Sequence, residues 1–254
     1  MPATRDRLTL VTYAGLLVVT VAAWTATLRH PMSAEDMAGM QMAMTPSAAD
    51  AAAYVVAWTI MMAAMMLPSA MPMIGLYAAT RRGDDGALGR AAAIIGFAAT
   101  YLALWAVTGL PIYFASLALM AVGPATLAYV TAFVLVAAGV FQLSPLKQVC
   151  LRRCRSPVGF LLGRWRAGWR GGLAMGWAHA CYCLGCCWAL MVVLVVAGAM
   201  GLPWVLLIAC VVAAEKLLPG GEWIARAAGA ALALLGAAVA VHPGLASALR
   251  AASM

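Results

Sequence analysis

Long apolar runs recur along the whole chain, at residues 8–28, 54–79, 91–110, 123–143, 172–197, 202–218 and 223–241. A helix rises 1.5 Å per residue, so about 20 apolar residues cover a ~30 Å hydrocarbon core. Here such runs fill most of 254 residues, of which 66% are hydrophobic and 9% charged. The pattern predicts an all-α, polytopic transmembrane helical bundle of about seven spans, with the lipid bilayer as its solvent. Residues 1–28 read as the first transmembrane helix and 29–53 as an external Met-rich loop. A six-helix core follows over 54–241, and 242–254 form a short C-terminal tail.

The net charge of +8 would suggest nucleic acid in a soluble protein. No water-facing domain carries a basic patch interleaved with aromatics, so no nucleic-acid partner is expected. Topology explains the charge instead. With the N-terminus cytoplasmic, the inner segments hold Arg5, Arg7, Arg81, Arg82, Arg90, seven basic residues from Lys147 to Arg170, Lys216 and Arg226. Arg29 and Arg250 remain outside, and this bias orients the chain in a bacterial inner membrane. A rival reading takes residues 1–26 as a cleaved signal peptide, although their apolar stretch is long for one.

The fifth run, AMGWAHACYCLGCCWALM, places His179, Cys181, Cys183, Cys186 and Cys187 in one helix. At 100° per residue, Met175, Cys183, Cys186 and Cys187 fall within about 80° of His179, while Cys181 lies at about 200°. Imidazole, thioether and thiolate are donors that suit Cu(I) first and Zn(II) second. Packing of small apolar Cys side chains is the plainer alternative. A CxxC redox pair, Cys183 with Cys186, is another, but it lies mid-helix, away from the helix N-terminus that would activate it.

In the second run, Met61 with Met65 and Met62 with Met66 form two i, i+4 pairs, followed by Pro68 and Pro72, where a kink or half-helix is expected. Thioethers could relay Cu(I) there, or simply fill the core. The external loop adds Met32, Met37, Met40, Met42 and Met44 beside His30, Glu35 and Asp36, a capture surface for soft metal or an unstructured linker. In the loop 144–171, expected at the headgroup level as an amphipathic stretch, Cys150 and Cys154 would face the cytoplasm among Arg side chains that favour thiolates. Glu215 and Lys216 put adjacent charges in the sixth run, which marks either function or mutual pairing.

The motifs WTIMMAAMMLPSAMPM, AAGVFQLSPLKQVCLRRCRSP, GWAHACYCLGCCWALM and EKLLP together resemble a bacterial domain-of-unknown-function family described as predicted metal-binding integral membrane proteins. The resemblance covers roughly residues 54–235. It implies a metal-binding role and points to Gln142, Lys147, Cys150, Cys154, Cys183, Cys186, Cys187 and Glu215 as the family's polar positions.

These observations converge on a membrane protein handling a soft metal, Cu(I) before zinc, by uptake, delivery or buffering. Its ligands would be Met175, His179, Cys183, Cys186 and Cys187, with Met61, Met62, Met65 and Met66 as relay and Cys150, Cys154 and Glu215 on the inner side. Delivery would add a membrane or periplasmic protein partner. A membrane oxidoreductase using the thiol pair or a copper centre, and a structural subunit without metal, are the other classes. No Gly-rich nucleotide loop is present, which argues against an ATP-driven pump.

Overall fold

The structure, a computed structural model, describes residues 3–29, 47–80, 86–198 and 201–251. The Met-rich segment from His30 to Met44 lies outside them. The described residues form ten helices and no strand. They are α1 (Ala3–Arg29), α2 (Ala48–Thr80), α3 (Ala87–Met120), α4 (Pro124–Leu143), α5 (Pro145–Arg155), α6 (Pro157–Arg164), α7 (Gly168–Gly198), α8 (Leu202–Leu217), α9 (Gly221–Val241) and α10 (Gly244–Ala251).

Six of these, α1, α2, α3, α4, α7 and α9, are long and apolar enough to cross a membrane. Their outward faces carry Leu17, Val18, Ile95, Val107, Phe114, Phe133 and Leu234, the surface expected where lipid replaces water. The apolar run at 202–218 forms the shortest of the helices expected as spans. Helix α8 has 16 residues, about 24 Å at 1.5 Å per residue. It starts beside the end of α7, where Arg250 Nε donates to Val196 O and Trp204 Nε1 to Leu249 O. Its last turn meets Cys183, halfway along α7. The chain then reverses through Pro219 and Gly220, whose φ of 78° suits a residue without a Cβ.

Helix α7 is the centre of the bundle: 67% of its most apolar stretch is buried, against 22% for α1 and for α9. Small residues let it in. A Cβ on Gly172 would overlap the Ala93 carbonyl, and one on Gly176 that of Phe97, so α3 and α7 touch backbone to backbone. Gly139 and Gly229 bring α4 and α9 together in the same way. Gly176→Val should therefore cost about 1–3 kcal/mol by overpacking, seen as a lower thermal midpoint in detergent. An unchanged midpoint would contradict this close contact.

Two Ser-Pro pairs cut the 144–171 segment into short helices. Ser144 is extended before Pro145 and accepts from Lys147 N at 3.2 Å, capping α5, while Ser156 precedes Pro157 at the start of α6. Helix α5 is amphipathic as expected, burying Lys147, Gln148, Leu151 and Cys154 with Arg152 and Arg153 outside. It packs against α7 and α8 as part of the bundle. The expected half-helix in α2 is absent, since helical structure runs through Pro68 and Pro72 without a break.

Candidate metal centre

The helical-wheel expectation for α7 holds for burial. Met175, His179, Cys183, Cys186 and Cys187 are all buried, and Cys181 is exposed on the other face. The wheel could not show what they meet. Cys186 Sγ lies 3.3 Å from Cys187 Sγ and 3.8 Å from Cys154 Sγ on α5, so α5 and α7 bring their sulfurs into one cluster. Cys183 Sγ is 3.1 Å from the Tyr101 hydroxyl on α3 and accepts from Lys216 Nζ at 3.0 Å. The ammonium also reaches Ser69 Oγ at 3.3 Å and Met66 Sδ at 3.9 Å on α2. Five helices thus converge on the sulfurs.

A metal–sulfur bond of about 2.3 Å puts tetrahedral sulfur ligands about 3.8 Å apart. The Cys154–Cys186 spacing matches that figure, and the Cys186–Cys187 spacing is closer. As they stand, no three or more His, Cys, Asp or Glu side chains among the described residues are disposed to hold a metal ion. The sulfurs pack on one another rather than open around a shared centre.

The remaining candidates separate by position. His179 stacks on Tyr101 at 5.5 Å, with Phe97 and Phe160 around it, and its Nδ1 has no hydrogen-bond partner among the described residues. Met61, Met62, Met65 and Met66 are all buried in α2, and Met66 Sδ lies 3.9 Å from Lys216 Nζ. Glu215 points away from the sulfurs. Its oxygens accept from Lys147 Nζ at 2.6 Å and Gln142 Nε2 at 2.8 Å, all three residues being fully buried.

The exposed, Arg-lined setting expected for Cys150 and Cys154 is not found. Cys154 is buried against Cys186, and Cys150 is half-buried over Gly185, where a Cβ would come within 2.9 Å of its sulfur. Burial pushes the Cys150 thiol up, against the opposing pull of Lys147. The face of α5 that holds these cysteines turns inward because Lys147 is tied to Glu215, and Arg155 Nη2 donates to Leu218 O at 2.6 Å. Sequence reasoning missed Tyr101 and Ser69 altogether, since a lone Tyr or Ser in an apolar run carries no spacing signal. It placed Lys216 beside Glu215 without its real partners.

A family model described as PpoB2, copper chaperone, matches residues 55–239, from α2 to α9. The chain belongs to the PpoB2 copper chaperone family. No curated protein and no solved structure matches it. The PpoB2 match takes in every cysteine of the cluster, with Lys216 and the Glu215 network, and leaves out α1 and the Met-rich segment. Copper handling, expected from donor chemistry, thus has independent support in the family, and the matched PpoB2 region coincides with the part of the fold that builds the sulfur cluster.

Proposed function

We propose that this chain is a membrane copper chaperone that holds Cu(I) on Cys154, Cys183, Cys186 and Cys187 and passes it to a protein partner in the membrane or periplasm. The observation that carries this reading is the meeting of cysteine sulfurs from α5 and α7 inside an apolar bundle. Thiolate and thioether donors select Cu(I), and no carboxylate competes, because Glu215 is engaged elsewhere. A charge in a low-dielectric interior must be compensated, and Lys216 supplies a cation against the thiolates. Met61, Met62, Met65 and Met66 form the soft approach along α2, with Met66 nearest the cluster. Sulfurs packed on one another, rather than fixed in a finished cage, suit a protein that must release its cargo. In this reading the N-terminus is cytoplasmic and the bundle lies in a bacterial inner membrane, which the bias of basic residues toward one side supports.

Copper analysis of the detergent-purified chain tests this. Wild type should retain copper in fixed ratio to protein, and Cys183→Ser with Cys186→Ser should lose most of it while remaining folded. Stoichiometric copper surviving the double change would sink the assignment.

A further inference from the structure

Where α6 joins α7 there is a cavity of about 870 Å³, half open at the surface, whose wall meets the face of α7 that carries the sulfur cluster at Met175. Its walls include Arg164, Arg166, Trp177, Met175, Cys181 and Tyr182, and no Asp or Glu is among the described residues lining it. Arg164 is held in place by Tyr182, donating from Nη2 to the hydroxyl at 3.1 Å and lying 5.6 Å over the ring. Two guanidinium groups without a balancing acid repel a bare cation and attract an anion. A site of this charge is therefore poorly suited to Cu(I) as a free ion. It suits copper already wrapped in negative ligands.

The inner wall supplies the next step. Met175 is buried behind the cavity, and His179, Cys183 and Cys187 follow it at intervals of four residues, about 6 Å of rise each. Met175, in the cavity wall, thus begins a line of one soft donor per turn along α7 that ends in the cluster, and His179, whose Nδ1 has no hydrogen-bond partner among the described residues, stands between the two. We propose that this cavity receives Cu(I) as an anionic thiolate complex of a small carrier, which exchanges ligands along Met175 and His179 with Cys183 and Cys186. This rests on the copper-holding role of the cysteine cluster. In the exchange, the two carrier sulfur–copper bonds break and two cysteine sulfur–copper bonds form. Each departing carrier thiolate takes up the proton of the cysteine thiol that replaces it, and copper stays Cu(I) throughout.

Two thiolate donors of opposite charge test the idea on the full chain in detergent, under reducing anaerobic conditions: Cu(I)–glutathione, an anion, and Cu(I)–cysteamine, a cation. Copper bound to protein is followed over time after rapid desalting. Wild type should load faster from glutathione at low ionic strength, with the preference shrinking as salt screens the field. Arg164→Gln with Arg166→Gln should slow loading from glutathione about tenfold, leave cysteamine unaffected or faster, and reach the same final copper content. Arg164→Lys with Arg166→Lys, which keeps the charge, should restore the rate. Equal slowing from both donors, or no change from either, overturns the proposal and gives the arginines a structural or lipid-anchoring role. If wild type takes up no copper from either donor even at long times, the copper-holding reading itself falls, and this one with it.

Discussion

Glu215→Ala is expected to destabilise the protein by about 3–5 kcal/mol, because it strands the Lys147 ammonium in the interior without a partner. The two groups meet at 2.6 Å, neither is exposed, and Gln142 donates to the other carboxylate oxygen. The loss should appear as a much lower thermal midpoint in detergent. Copper retention should fall with it, since the pair fixes the face of α5 that carries Cys154. Combining Glu215→Leu with Lys147→Met removes both charges and should recover most of the stability, as replacing a whole buried pair costs far less than breaking it. The two arms separate a charge effect from a packing effect. A midpoint unchanged by Glu215→Ala would mean that water reaches Lys147 and that the pair does not hold α5 in place.

Replacing Lys216 by methionine should weaken copper binding while leaving the fold largely intact. Two thiolates and one Cu(I) carry a net negative charge, and the Lys216 ammonium lies 3.0 Å from Cys183 Sγ. A unit charge at about 4 Å contributes ~4 kcal/mol at an effective dielectric near 20, so affinity should fall on the order of 100- to 1,000-fold. Competition against a chromophoric Cu(I) chelator measures it. Tighter binding in Lys216→Met would reverse the assignment and show that the ammonium competes with the metal for the sulfurs. Met66 and Ser69, which also contact Nζ, should give smaller effects when changed to Leu and Ala, since neither carries a charge.

The helices were legible because lipid imposes a simple length rule on apolar runs, and six of the expected spans are found with ends shifted by several residues. The run at 202–218 forms a 16-residue helix that ends just before Pro219 and Gly220, with Lys216 beside Cys183. Hydropathy measures how a segment would sit in lipid and does not show which partner the charged end of a helix meets. In α5 the amphipathic reading holds, with Arg152 and Arg153 at the surface, but the cysteine face expected toward the cytoplasm is drawn into the bundle with Lys147 and Leu151.

Within α7, the sequence by itself determined which side chains share a face, because a rigid helix fixes their angles once the residue order is known. It also determined the donor chemistry, since Cys, His and Met side chains prefer soft metals wherever they sit. Only the tertiary structure decided that Cys154 joins Cys186 from another helix, and that adjacent Glu215 and Lys216 serve opposite partners. Neighbouring residues on a helix point about 100° apart, so two adjacent charges address different helices. Which helices those are depends on how the chain packs, and no local spacing encodes it.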